Sequence, residues 1–210
     1  MEISKCVGIL AGGKGIRMGG DKPFKLFKDK PLILWVYEAV LPLNLKIYLS
    51  VRSPDQGERL LGLIQSAFPK KSHPLNVSIV QDVAPFEGPL AGVYSLLSTM
   101  KEEEILILTC DQPLIKTEFL QRLLRQRAEA CLFEIEGKAE PFPLKLTKSV
   151  FPYLENFIKI SKKKSIKEFL NLLEKYRKYN KLTKLSLKKE EEIFLKNINT
   201  PQELEELSNV

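Results

Sequence analysis

The stretch Cys6-Val7-Gly8-Ile9-Leu10-Ala11-Gly12-Gly13-Lys14-Gly15-Ile16-Arg17-Met18-Gly19-Gly20-Asp21-Lys22 decides how the rest of the chain is read. Residues 7–11 form an apolar run that reads as a short buried strand. From Leu10 to Lys22 the run holds five glycines, one arginine and two lysines. Glycine lets a backbone turn sharply and come close to a ligand. Successive free N–H groups can then point at an anion. Lys14, Arg17 and Lys22 add positive charge for phosphate oxygens. A strand that feeds such a turn predicts a nucleotide held at the strand's carboxyl end. Two common phosphate loops do not fit. A Walker A loop needs Lys followed by Ser or Thr, and Lys22 stands between Asp21 and Pro23. The dinucleotide fingerprint needs Gly-x-Gly-x-x-Gly, and Met18 occupies the third glycine's place.

Working outward, strand and helix patterns alternate. Helices are expected at 31–40, 58–68, from Gly88-Pro89 to about 100, and at 117–130. Strands are expected at 46–51, 76–81 and 104–110, the last nearly all apolar and so central. This order predicts a parallel sheet with helices on both faces. Beyond it, strands at 130–136 and 143–146 flank a turn at Gly137-Lys138, helices follow at 149–158 and 165–176, and a last strand lies at 182–187. Thr200, Pro201 and Glu203 form a Thr-x-x-Glu capping box that starts a C-terminal helix. No internal repeat or linker divides the 210 residues, a length suited to one domain with a sizeable core.

Composition narrows the classes. The hydrophobic share of 44% is that of an ordinary globular chain. No run is long enough to span a membrane, and Met1 to Lys5 does not read as a signal peptide. Cys6, Cys110 and Cys131 sit singly in apolar runs, which argues for buried, reduced thiols and a cytoplasmic location, not a zinc site or a disulfide frame. Net charge is +7, concentrated at 159–189. That segment reads first as a solvated Lys-rich face. A polyanionic partner is the alternative, and nucleic acid is disfavoured because aromatics are sparse there, Tyr176 and Tyr179 being its only tyrosines. His73, the only histidine, lies among Lys70, Lys71, Ser72 and Pro74 and reads as a surface residue. It leaves no Ser-His-Asp or Cys-His arrangement to assemble.

In an open parallel sheet, ligands bind beyond the carboxyl ends of the strands. Four clusters fall there: the glycine run, Ser50-Val51-Arg52, Asp82 with Gly88-Pro89-Leu90-Ala91-Gly92, and Thr109-Cys110-Asp111-Gln112-Pro113. Asp111 is the strongest single candidate. A carboxylate at the end of an apolar strand has no packing role there, and a hard oxygen ligand suits Mg²⁺. Gly88 and Pro89 would let a helix N-terminus approach a ligand with its N–H groups free.

The run from Leu10 to Lys22 resembles the Leu-Ala-Gly-Gly-x-(Ser/Gly/Ala)-x-Arg-Met-Gly-x-Asp-Lys signature of NTP-transferase-like nucleotidyltransferases. Together with Asp82, Gly-Pro-Leu-Ala-Gly, Cys-Asp-x-Pro and Asn197-Ile198-Asn199-Thr200-Pro201, it is most similar to the molybdenum cofactor guanylyltransferase family. The resemblance implies a single-domain α/β fold, a Rossmann-like three-layer sandwich of the nucleotide-diphospho-sugar transferase type. Residues 1–115 would be its nucleotide-binding half and 116–210 its acceptor-binding half. It implies transfer of GMP from GTP to Mo-molybdopterin, with Mg²⁺ and transient contacts to other proteins of the pathway, without nucleic acid or membrane. Arg17, Lys22 and Asp111 would be catalytic, with Asp111 on the metal. Leu10, Ala11, Gly12, Gly13, Lys22, Ser50, Asp82, Gly88, Pro89, Leu90 and Asp111 would hold the nucleotide. Ser50 stands where relatives often carry Asn. Asn197 and Asn199 would face the acceptor, with Glu140-Pro141-Phe142-Pro143-Leu144 and the basic Lys162-Lys163-Lys164-Ser165 on the same side. Gln112 receives no role. A cytidylyltransferase acting on the same pterin, a sugar-phosphate nucleotidyltransferase and a non-catalytic GTP-binding module remain open as alternatives.

Overall fold

Alternating strand and helix signals produce a single seven-stranded sheet. The computed structural model describes residues 3–13, 15–69, 76–82, 86–175 and 182–208. Lys14, His73 and its lysine neighbours, Tyr176 and Tyr179 lie outside them. The strands are β1 (Lys5–Leu10), β4 (Lys46–Val51), β5 (Val77–Gln81), β6 (Glu104–Thr109), β7 (Ala130–Ile135), β8 (Lys138–Thr147) and β9 (Leu182–Leu187). A two-stranded hairpin, β2 (Leu26–Phe27) and β3 (Lys30–Pro31), stands apart from the sheet. The helices are α1 (Leu32–Val40), α2 (Pro54–Ala67), α3 (Pro89–Thr99), α4 (Thr117–Leu124), α5 (Phe151–Ile160), α6 (Ile166–Lys175) and α7 (Pro201–Ser208).

The sheet order is β5-β4-β1-β6-β8-β7-β9. Only β8 runs against the others. From β1 the chain winds outward through β4 to β5, then returns to place β6 on the other flank of β1. The strand order therefore reverses at β1, and a crevice opens there at the carboxyl ends.

Side-chain alternation makes the three layers. On β1, Val7 and Ile9 pack on one face, and Cys6 and Leu10 on the other. On β6, Leu106 and Leu108 oppose Ile105 and Ile107 in the same way. Ile33, Val36 and Tyr37 of α1, Leu60 and Ile64 of α2 and Phe119 of α4 cover the first face. Leu90, Val93 and Leu96 of α3, Leu154 of α5 and Phe169 of α6 cover the second. A small third cluster, Met18, Phe27, Leu32, Ile198 and Leu207, ties the glycine run to α1 and to the C-terminal segment.

Three boundaries differ from expectation, each for a local reason. α2 starts at Pro54, four residues earlier than the apolar pattern suggests, because Ser53 caps it by accepting from the Gln56 N–H at 3.3 Å. α4 stops at Leu124 instead of reaching 130. Beyond it, fully buried Lys145 takes the carbonyls of Gln126 and Ala128 at 2.7 and 3.0 Å. The same ammonium pairs with Glu104 at 2.9 Å, so neither buried charge stands alone. β8 runs back to Lys138, through Pro141 and Pro143, because its register with β7 shifts opposite them, where ladder bonds are missing in any case. Among the described residues no helix is long and apolar enough to cross a membrane.

Candidate active site

The carboxyl ends of β1, β4, β5 and β6 and the N-terminus of α3 surround one cavity of about 630 Å³. Leu10, Gly12, Gly13, Arg17, Lys22, Ser50, Arg52, Asp82, Gly88, Pro89, Gly92, Asp111 and Asn199 all line it. The four clusters that the sequence spreads over a hundred residues thus meet in one place. Backbone bonds between the strand exits hold them. Ala11 N donates to Ser50 O (2.8 Å), Asp82 N to Val51 O (2.8 Å), and Cys110 N to Leu10 O (3.1 Å).

At one end of the cavity Lys22 donates to Asp111 Oδ2 and, at 2.9 Å, to Asn199 Oδ1. Asp111 lies two residues past β6 and is 9% exposed. These three side chains come from the glycine run, the end of the central strand and the C-terminal segment. The last is delivered by two sets of bonds. Ile198 N donates to Asp111 O at 2.8 Å. Glu203 Oε2 accepts from the N–H groups of Asn199 (2.6 Å) and Thr200 (3.0 Å), while Thr200 Oγ1 accepts from Glu203 N at 3.2 Å. The capping box therefore also sets the backbone of Asn199. Arg17 is exposed on the cavity wall.

At the other end Ser50 Oγ donates to Asp82 Oδ1 at 2.5 Å. This close packing needs glycine at two places. A Cβ on residue 12 would come within 2.5 Å of Asp82 Oδ2, and one on residue 92 within 2.7 Å of both Ser50 Oγ and Leu10. Burial raises the pKa of Asp82, and the Ser50 hydrogen bond partly offsets this.

The donor set can be tested against a magnesium ion. Among the described residues no three His, Cys, Asp or Glu side chains cluster to cage a metal. Asp111 Oδ1, however, is buried with no hydrogen-bond partner, although its sister oxygen is held by Lys22. One free carboxylate oxygen at a cavity also lined by Lys22 and the glycine run fits Mg²⁺, which takes one or two carboxylates and draws its other ligands from phosphates and water.

The Ala11 side chain is fully buried in the core, in keeping with a role expected of its backbone alone, and its carbonyl accepts from Gln56 Nε2 at 3.1 Å. Two expected positions take a different place. The Leu90 side chain packs under α3 at 1% exposure, because the first turn of the helix turns it toward the sheet. Asn197 is exposed and does not line the cavity, since the chain alternates there and buried Ile198 points the other way.

Other residues carry weight that the sequence reading did not assign. Asp21, in left-handed backbone (φ 47°) beside Lys22, binds Arg52 Nη2 at 2.8 Å and Arg59 Nη1 at 3.1 Å. Gln56 Oε1 accepts from Arg52 N at 3.0 Å. Both ends of the glycine run are therefore fastened to the β4–α2 connection. Gln112, 1% exposed, donates through Nε2 to Phe142 O (3.0 Å) and Leu195 O (2.9 Å). It ties the Asp111 turn to β8 and to the segment that leads to Asn199. Ser53-Pro54-Asp55-Gln56 does carry a capping signal in the sequence. Gln112 carries none, since its partners are distant carbonyls. The three cysteines are buried and free. Burial pushes the Cys131 thiol up to about 11 and raises Cys6 and Cys110 as well.

Known proteins bear on this geometry. The MobA-like NTP transferase domain matches residues 7–178. A probable molybdenum cofactor guanylyltransferase of Flavobacterium johnsoniae is 32% identical over 203 residues, 95% of this chain and 94% of its own length. One from Carboxydothermus hydrogenoformans is 29% identical over 207 residues, 97% and 95% of the two chains. The solved structure of molybdopterin-guanine dinucleotide biosynthesis protein A from Archaeoglobus fulgidus has the same fold, with a TM-score of 0.71 at 23% identity over 98% of this chain and 97% of that one. A cavity at the sheet's reversal point, walled by the glycine run and closed by Asp111 and Asn199, and a family match across most of the chain lead to one conclusion: the chain belongs to the MobA-like NTP transferase family.

Proposed function

We propose that the protein transfers GMP from GTP to the terminal phosphate of Mo-molybdopterin, forming the guanine dinucleotide cofactor and pyrophosphate. The observation that carries this reading is the meeting of Lys22, Asp111 and Asn199 at one end of a nucleotide-sized cavity whose other end is the Ser50–Asp82 pair. The names of the long-range relatives support it.

The reaction is an in-line displacement at the α-phosphorus of GTP. A phosphate monoester is already anionic near neutral pH, so the nucleophile needs no strong base. Catalysis is then mostly positioning and charge neutralisation. Lys22 and Arg17 offset the charge that grows on the α-phosphate and on departing pyrophosphate. Asp82 and Ser50 receive the base, the Gly12-Gly13 backbone lies along it, and the N-terminus of α3 at Gly88-Pro89 adds its partial positive charge. Asn199 faces the acceptor side. Asp111 Oδ1 would hold Mg²⁺, which when bound supplies charge neutralisation on the triphosphate. The second half of the chain would bind the pterin, in the cytoplasm, with other proteins of the pathway delivering and receiving it.

The test is pyrophosphate release with Mg²⁺ and a molybdopterin acceptor, with GTP, CTP and ATP in parallel. Release with GTP, and none at comparable rate with CTP or ATP, is the expected result. A CTP preference would move the protein to the cytidylyltransferase alternative, and no release with any nucleotide would remove the proposed reaction.

A further inference from the structure

Asp111 and Asn199 reach Lys22 from separate segments, and Gln112 lies where those segments meet. Its side chain is buried. A primary amide has two N–H donors, and both are used: Nε2 donates to Phe142 O at 3.0 Å and to Leu195 O at 2.9 Å. Phe142 belongs to β8, and Leu195 to the segment that leads to Asn199. Next to Gln112, the carbonyl of Asp111 accepts from Ile198 N at 2.8 Å. The dipeptide Asp111-Gln112 thus holds residues 195–198 at both ends, once through a side chain and once through the backbone. Asn199 follows directly, and its Oδ1 accepts from Lys22 at 2.9 Å. The other polar atom of the amide, Gln112 Oε1, is buried with no partner among the described residues. An unmet buried oxygen is destabilising, so packing alone would favour an apolar side chain of similar size. The two donors are what an apolar side chain would lack.

We propose that Gln112 is a positioning residue for the transfer step: by binding Phe142 O and Leu195 O together it docks residues 195–198 on the Asp111 turn, which sets Asn199 on Lys22. Gln112 does not line the cavity, so it meets neither nucleotide nor acceptor and acts through Asn199. Phe142 fixes the amide from the β8 side, and Leu195 then has one place to dock. Small displacements matter at such a site, since a shift of about 1 Å in a group that positions reactants can lower a rate by about 10²-fold. Nucleotide binding is governed elsewhere, by the glycine run and the far end of the cavity. Loss of Gln112 therefore acts on kcat and leaves KM for GTP in place. This inference rests on the guanylyltransferase reading and deepens it, because it assigns to that reaction a residue outside the cavity.

The test is a double-mutant cycle on the full chain: wild type, Gln112→Met, Asn199→Ala and the two combined. Methionine is unbranched and of similar length but has no donor. For each variant kcat and KM for GTP are measured with Mg²⁺ and molybdopterin acceptor, at a temperature below its measured melting point. Gln112→Met should lower kcat by about tenfold or more, with KM for GTP kept within about twofold. In the combined variant kcat should stay within about twofold of Asn199→Ala alone, because two residues that act through one contact do not add. A lowered melting point with wild-type kcat, the pattern of a merely structural role, overturns the proposal. So do losses that multiply in the combined variant. If Gln112→Met does not fold, Gln112→Asn decides by the same criteria, since it keeps the amide but sets it one methylene short of the two carbonyls. If the wild type turns over GTP while the variant at 112 keeps its kcat, this inference alone fails. If the wild type releases no pyrophosphate from GTP, the guanylyltransferase reading fails and this inference with it.

Discussion

Lys22 is the residue through which the two ends of the chain communicate. Its ammonium touches a carboxylate 89 residues away and an amide 177 residues away. In the absence of nucleotide it neutralises Asp111. It also lines the cavity, and in the proposed reaction it would meet the oxygens of the transferring phosphate. Lys22→Ala should lower kcat by about 10²-fold or more, the scale of losing one preorganised donor to developing charge. Asp111→Ala should remove turnover at any practical Mg²⁺ concentration while far-UV circular dichroism stays native. Steady-state kinetics read both, and an unchanged kcat in either variant would demote that residue to a structural ion pair. The candidate site was legible at this scale wherever a side chain's chemistry is its own signal. Asp111, Lys22, Asp82 and the glycines announce themselves as a carboxylate, a cation or a missing Cβ at a strand end. Leu90 and Asn197 show the limit. Motif membership says that a residue is near the site, and only the helix phase or the strand alternation says which way it faces.

Among the elements, the start of α7 does more than begin a helix. Glu203 accepts from the N–H of Thr200, as a capping box requires, and also from the N–H of Asn199. Glu203→Ala should therefore cost about 1–2 kcal/mol in stability and also reduce kcat, because Asn199 loses its backbone anchor. Thermal denaturation and kinetics separate the two effects, and a lowered melting point with unchanged kcat would confine Glu203 to capping. The same helix shows why element starts are readable. Thr200-Pro201 is local chemistry, with a side chain satisfying a nearby free N–H group, and Ser53-Pro54 is a signal of the same kind that the apolar pattern, which starts the helix at 58, passes over. Ends are harder to read. α4 ends where Lys145, from a strand twenty residues on, claims the carbonyls that would continue it, and β8 tolerates two prolines because its partner's register shifts. Neither cause is visible within the segment it affects.

Across the whole molecule, the order of strands was the least legible property and the most consequential. Apolar runs separated by helices imply a parallel sheet. They do not say that β6 crosses to the far flank of β1, nor that β8 reverses. That crossing opens the crevice, and the C-terminal segment closes it through Ile198, whose side chain joins the Met18–Phe27 cluster while its N–H holds Asp111. One sheet runs through both halves of the chain, and Asn199 comes from the second half to a cavity otherwise built from the first. The basic segment is partly paired within the fold, Lys184 with Glu174 at 2.7 Å and Lys189 with Glu136 at 2.9 Å. Such exposed pairs contribute little to stability.

In the proposed reaction this fold joins the α-phosphate of GTP to a pterin phosphate. The most direct measurement follows GTP labelled separately at its α- and γ-phosphates through one turnover with Mg²⁺ and Mo-molybdopterin. The α label should appear in a guanine dinucleotide and the γ label in pyrophosphate. Both labels remaining in GTP, or the γ label appearing as inorganic phosphate with no dinucleotide formed, would contradict it.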